Sequence, residues 1–308
     1  MNSVSVSDLS RLLGHPQADI PHSCLDIFKQ SDWRYKFIDG QALDDLVTEL
    51  LERIRRKEFS IVVEGDKTRW LKGWGENLND FVASKGDLDA LAPKYVRPKM
   101  PVRLFRRLVQ PVDPNFEANW RRVYQDFIFR TYFADASAIF EFGCGSGMHV
   151  GALAQMFPDK KVTGLDWAEP SVEIVENMRK LRGWNTQGRS FDFFNPDDSV
   201  DIPQGSVIMT FAALEQISDK PAAFIDFLLR KKPKRVVHLE PIYDWYDPAN
   251  FIDHLAMRAH ETRNFLRGLV GILHKLRDEG RVEILKEHRV EFGSLLHEGY
   301  SQLIWRPL

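Results

Sequence analysis

A short apolar strand that runs into an acidic residue and then three alternating glycines constrains this chain more than any other feature. Residues 138–150 read A-I-F-E-F-G-C-G-S-G-M-H-V, with glycines at 143, 145 and 147. Glycine lacks the Cβ that keeps a bulky group off the backbone, and it reaches the positive-φ conformations that a tight strand-to-helix turn needs. The next stretch has helical composition, so its first amides point back at whatever rests on the turn. Strand patterns follow at 161–166, 188–193, 206–211 and 234–239, alternating with helical patterns at 147–157, 170–182 and 219–230. Such alternation predicts a parallel sheet with helices on both faces.

Asp166 lies nineteen positions after Gly147, at the end of K-V-T-G-L-D-W. An acid about 20 residues beyond a glycine turn accepts hydrogen bonds from ribose hydroxyls, so the spacing suits a nucleoside ligand. A dinucleotide fingerprint starting at Gly143 requires glycine at 148, where this chain has Met148. The remaining pattern, E-F-G-C-G-S-G, resembles the first motif of the class I S-adenosylmethionine-dependent methyltransferases. That resemblance implies a Rossmann-like seven-stranded sheet with a terminal antiparallel pair, supplied here by R-V-E-I-L-K-E-H-R-V-E-F and G-Y-S-Q-L-I-W-R-P. It implies that the loop Gly143, Cys144, Gly145 and Gly147 wraps the methionine end of S-adenosyl-L-methionine, with Glu141 ordering the loop and the ammonium. It further implies that Asp166 holds the ribose, that Trp167 lines the adenine, and that Asp192 with Phe193 meets the adenine amino group. V-I-M-T-F-A-A-L-E-Q-I, residues 207–217, resembles the strand-four segment of many relatives, with Gln216 where they carry His. The resemblance covers about residues 116–308.

Residues 1–115 read as a separate, mainly helical region. Leu43, Leu46, Val47, Leu50, Leu51 and Ile54 share one helical face, and a second helix is expected over 68–83. The run 93–114 carries five prolines and six basic residues and reads as an extended connector. Its bland reading is a solvated linker; its sharper one is that Arg97, Lys99, Arg103, Arg106 and Arg107 grip a substrate phosphate. The helical pattern at 116–133 covers the cofactor in the resembled family. Trp33, Tyr35, Trp70, Trp74 and Trp120 either fill the interface between the two regions or form a sugar platform.

Lys plus Arg total 42 against 44 for Asp plus Glu, a formal charge of −2, which removes the attraction expected of a general nucleic-acid binder. Only Cys24 and Cys144 are present, so neither a disulfide framework nor a zinc constellation is expected. The start lacks a basic segment followed by an apolar core, and no stretch has the length of a membrane span. The expectation is a cytoplasmic protein with no membrane or nucleic-acid partner and no metal, for which a homodimer is allowed.

Methyl transfer from a sulfonium is an in-line displacement, so acceptor and methyl must be held in line and water excluded. A hydroxyl acceptor also needs a base. Glu215 after strand four is the first candidate for contacting the acceptor. H-L-E-P-I-Y-D-W-Y-D-P brings Glu240, Tyr243 and Asp244 to the same rim, while Asp247 is explained by turn chemistry and His238 by the core. His254, Arg258 and Glu261 share a face of the next helical stretch, at 247–276, which has hinge points at Gly268 and Gly271. The reading is an O-methyltransferase of a small acceptor, a sugar or polysaccharide precursor. The rivals are a non-catalytic methyltransferase-fold scaffold, a protein or RNA methyltransferase, and a nicotinamide oxidoreductase that Met148 and the terminal strand pair disfavour.

Overall fold

Alternation along each strand sorts its side chains onto two faces, and the computed structural model, which describes residues 1–58, 61–93 and 98–308, builds two sheets from this rule. The N-terminal region carries β1 (Asn2–Ser3), α1 (Val6–Leu13), α2 (His22–Lys29), β2 (Arg34–Phe37), α3 (Gln41–Arg55), α4 (Thr68–Ala83), β3 (Val102–Leu104) and β4 (Arg107–Pro111). The rest of the chain begins with α5 (Phe116–Tyr132), β5 (Ala138–Phe142), α6 (Met148–Met156), β6 (Lys161–Asp166), α7 (Glu169–Arg182) and β7 (Thr186–Ser190). It continues through β8 (Val207–Phe211), α8 (Ala222–Lys231), β9 (Arg235–Glu240), α9 (Phe251–Arg263), α10 (Leu269–Asp278), β10 (Val282–His288), β11 (Phe292–Gly293) and β12 (Ser301–Pro307).

Among the described residues the larger sheet has seven strands in the order β10-β12-β9-β8-β5-β6-β7. Strands β5 to β9 run parallel, and β12 lies antiparallel between β9 and β10. This is the Rossmann-like layout with an inserted terminal strand that the resemblance implies. Every residue of β5 is buried, as a parallel strand covered on both faces requires. Ile139 joins the core shared with Trp120, Tyr124 and Val150, whereas Phe140 and Phe142 join the opposite core of Phe224, Phe227 and Trp305.

The N-terminal region is mainly helical, and α3 buries Val47, Leu50 and Ile54 as its periodicity predicts. Its second sheet was concealed by the prolines. The stretch read as an extended connector folds back at Phe105 and Arg106, which take φ 52° and 61°, so that β3 pairs antiparallel with β4. Pro111 ends β4, where a missing amide costs no central ladder bond. The sheet order β1-β2-β4-β3-β11 takes its last strand from near the C-terminus.

Other departures are local. β7 ends at Ser190, short of the expected 193, because the Asp192 carboxylate accepts the Phe194 amide at 2.9 Å and turns the chain. Pro221 sets the start of α8. The long helical stretch breaks between α9 and α10 where Asn264 and Gly268 adopt φ 55° and 79°.

Candidate cofactor and acceptor site

β5 delivers Glu141 and the glycine loop to the carboxyl edge of the parallel strands, where open α/β sheets bind ligands. Gly143, Gly145 and Gly147 take φ 73°, 54° and 72°. A Cβ at Gly143 would lie 2.4 Å from the Ala213 methyl and 3.3 Å from the Phe193 ring, and one at Gly145 would lie 2.9 Å from the Trp74 indole. The loop therefore faces the 212–218 turn on one side and α4 on the other. Gly143 and Cys144 both donate their amides to the Leu165 carbonyl, at 2.7 and 3.1 Å. Gly145 donates to Asp166 Oδ2 at 2.8 Å, and Ala168 to Asp166 Oδ1 at 2.8 Å. Burial pushes the Asp166 carboxyl up to about 6 against the pull of these amides.

Glu141 is fully buried, with Oε1 2.9 Å from His149 Nδ1 and Oε2 without a partner among the described residues. Cys144 turns its thiol into the core, where burial raises its pKa well above the ordinary value, so only its backbone faces the loop. Trp167 is half-buried beneath Lys67 Nζ, 5.1 Å from its ring, and Phe193 packs edge-on against Phe224. Asp192 accepts the Phe194 amide on one oxygen and the Asn195 side chain on the other. Arg121 of α5 touches Met148 just after the loop, so α5 reaches the site's margin.

On the acceptor side the turn Leu214–Ile217 sits between two strained residues, Ala212 at φ 48° and Ser218 at φ 58°. Glu240 braces it: Oε1 accepts the Ala213 and Leu214 amides, both at 3.1 Å, and Oε2 accepts that of Glu215 at 3.4 Å. Burial, helped by Glu215, pushes Glu240 up to about 8. Placed by the sequence on the polar rim, Glu240 is fully buried and spends its oxygens bracing this turn. Tyr243 donates its hydroxyl to Glu261 at 2.8 Å, and Arg258 pairs with Glu261 at 3.0 Å. His254 is exposed beside them, because Ile252, Leu255, Ala256 and Ala259 set the phase of α9 and leave 254, 258 and 261 outside. Glu215 is 8% exposed; its Oε1 accepts from Gln216 at 2.6 Å and its Oε2 has no partner among the described residues. Burial raises its pKa, while Arg263 and Arg69 pull it down.

The connector arginines are held by carboxylates. Arg103 is buried against Asp253 at 2.8 Å, Arg106 meets Asp247 at 2.8 Å, Arg107 meets Asp39 at 2.7 Å, and Arg97 lies outside the described residues. His260, Arg263 and His297 were missed. The phase of α9 puts His260 with the apolar face, a signal that was legible; His297 follows a loop with no periodicity to place it. Trp33 and Trp120 are core residues, whereas the stacked pair Trp70 and Trp74, 5.5 Å apart, lies half-buried beside the glycine loop. Among the described residues no group of three His, Cys, Asp or Glu side chains is placed to hold a metal ion, and no helix is long and apolar enough to cross a membrane.

No family model and no curated protein matches the chain. Similar solved structures include a SAM-dependent methyltransferase from Aquifex aeolicus, at 15% identity and TM-score 0.40 over 61% of this chain and 92% of that one. The 16S rRNA methyltransferase RmtF in complex with S-adenosyl-L-homocysteine aligns at 12% identity and TM-score 0.44 over 100% of both chains. The [4+2]-cyclase SpnF aligns at 16% identity and TM-score 0.46 over 80% of this chain and 98% of that one. Likenesses this distant carry no argument about chemistry.

Proposed function

We propose that this protein is an S-adenosylmethionine-dependent methyltransferase acting on a hydroxyl of a small-molecule acceptor, with a sugar or polysaccharide precursor as the class to test first. The observation that carries the reading is the convergence, at one sheet edge, of a buried carboxylate oxygen without a partner on Glu141, three positive-φ glycines and the strand-end Asp166. These residues fit the cofactor. The Glu141 oxygen suits an ammonium, the bare loop admits a close-lying chain, and each Asp166 oxygen, holding one amide, keeps a lone pair for a ribose hydroxyl. Phe193 and Trp167 supply apolar surfaces for a base.

When bound, the cofactor supplies an electrophilic methyl on a sulfonium. This chain's own residues position the acceptor, exclude water and take its proton. The 212–218 turn and α4 flank the loop and shield it from solvent. Glu215 Oε2 is the group best suited to accept the hydroxyl proton: burial makes its carboxylate more basic than usual, and nothing among the described residues competes for it. Glu240 fixes the turn from which Glu215 projects.

Calorimetric titration with S-adenosylhomocysteine, with NAD and NADP as controls, tests the reading. Micromolar binding is expected, weakened about 10–100-fold by Asp166→Ala through loss of hydrogen bonds to a charged acceptor. A folded sample that binds NAD in preference, or none of the three, overturns it.

A further inference from the structure

We propose that Glu215, His260, Arg263 and His297 form the acceptor site, and that this site is built for an acceptor carrying a carboxylate or phosphate beside the hydroxyl to be methylated. The hydroxyl part rests on the methyltransferase reading; the acidic part stands on the cluster's own chemistry.

The argument starts from unspent hydrogen-bonding capacity. His260 is 1% exposed, yet neither ring nitrogen has a partner among the described residues. The same holds there for Glu215 Oε2, Arg263 Nε and His297 Nδ1. Buried polar atoms are almost always satisfied, so several failures in one place mark capacity kept for a ligand. Elsewhere a buried histidine or arginine still spends part of its capacity: His238 reaches Thr210 at 2.9 Å while its Nε2 lacks a partner, and Arg103 binds Asp253 while its Nε lacks one, whereas His260 is the histidine with both nitrogens unpaired among the described residues.

The unspent groups share one neighbourhood. The His260 and His297 rings are 5.8 Å apart, and both pack on Phe265, at 5.4 and 6.1 Å. The Arg263 guanidinium lies 3.9 Å over the same Phe265 ring. Leu266 donates its amide to the Glu215 carbonyl at 3.2 Å, and Ala213, two residues before Glu215, abuts Gly143 of the glycine loop. The cluster therefore sits beside the cofactor wall.

Its charge selects the ligand. Arg263 acts on the Glu215 carboxylate and keeps its Nε without a partner among the described residues, which places a guanidinium with an unspent donor at a site largely removed from water. Burial holds both histidines neutral, His297 down to about 3, so they add hydrogen bonds to hydroxyls and no charge. A planar guanidinium stacked on an aromatic ring presents its fork to a carboxylate or a phosphate.

The test follows the Arg263 Nε–Hε resonance in ¹⁵N-arginine-labelled protein saturated with S-adenosylhomocysteine, assigned with Arg263→Lys. Sodium phosphate and sodium acetate are titrated separately against sodium chloride at matched ionic strength. A saturable shift with phosphate or acetate is expected, and the stronger of the two identifies the acid. A shift no larger than that with chloride overturns the proposal.

A second arm measures methyl transfer from radiolabelled S-adenosylmethionine to glucuronate, glucose 6-phosphate and glucose. An acidic sugar should be methylated at least ~10-fold faster than glucose, the loss expected when a buried charge partner is missing. Equal or faster glucose methylation overturns the proposal, and if no sugar reacts the resonance arm decides. His260→Asn, a milder change, should weaken anion binding while leaving S-adenosylhomocysteine affinity unchanged within about twofold. Loss of S-adenosylhomocysteine binding with the anion shift retained would sink the methyltransferase reading and leave the acidic site standing.

Discussion

The two walls of the site spend their polar atoms in opposite ways. On the glycine-loop wall, the Gly143, Cys144 and Gly145 amides and both Asp166 oxygens are paired by short-range contacts, leaving one Glu141 oxygen and His149 Nε2 over. On the facing wall, Glu215, His260, Arg263 and His297 come from separate parts of the chain and keep unpaired atoms. A wall made by short-range backbone pairing has its shape before any ligand arrives. A wall assembled from distant elements holds its hydrogen-bonding capacity in reserve, which lets the ligand decide how it is used.

The largest test of this contrast is Gly143→Ala. Its Cβ would meet the Ala213 methyl at 2.4 Å on a backbone at φ 73°, forcing the two walls apart. Left-handed strain plus overpacking should cost about 2–4 kcal/mol in urea melts and remove S-adenosylhomocysteine binding. Wild-type affinity in a variant of unchanged stability would show that the walls do not touch as described.

The next is the pH dependence of cofactor binding. In the proposed function Asp166 accepts ribose hydroxyls as a carboxylate, and its folded-state pKa of about 6 lies above the ordinary 3.8. Affinity should therefore rise roughly tenfold per pH unit below about 6 and level off above it. A flat calorimetric profile between roughly pH 5 and 8 would contradict this.

Glu240→Gln sharpens the comparison from the other wall. Its folded-state pKa, pushed to about 8, is above the ordinary 4.5, so the native state holds the proton more tightly than the unfolded chain. Stability from this group is fully present below about 4.5 and is lost as pH rises through about 8. The variant should flatten that slope, worth on the order of 1 kcal/mol per unit of displacement, in melts at acid, neutral and alkaline pH. A parallel slope in both proteins would remove Glu240 as its source. The smallest effect belongs to His254→Ala: on an exposed helix face it should change stability by less than about 0.5 kcal/mol and leave methyl transfer alone. A marked loss of transfer would make His254 a candidate base.

Much of the fold was legible because its signals are short-range. Periodicity placed β5, β6 and α4 at or within a residue of their ends and showed two terminal strand patterns, while the insertion of β12 between β9 and β10 came from the family resemblance. The hairpin of β3 and β4 was not legible, since five prolines argue for extension and only pairing with β2 and β11 rewards the fold-back. The candidate site divides likewise. Glu215 stood out as an acid just after a buried strand, but the fate of Glu240 depended on which amides came within reach, and that of His254 on which face α9 turned inward.

What the sequence by itself determined, then, is the glycine loop and its acid partner, because spacing inside one strand-helix-strand unit leaves the backbone few other closures. Tertiary structure alone decided the facing wall. Residues 215, 260, 263 and 297 meet only when β8, α9 and the loop before β12 converge at one sheet edge, and their partners are set by distance in space, which no local pattern encodes.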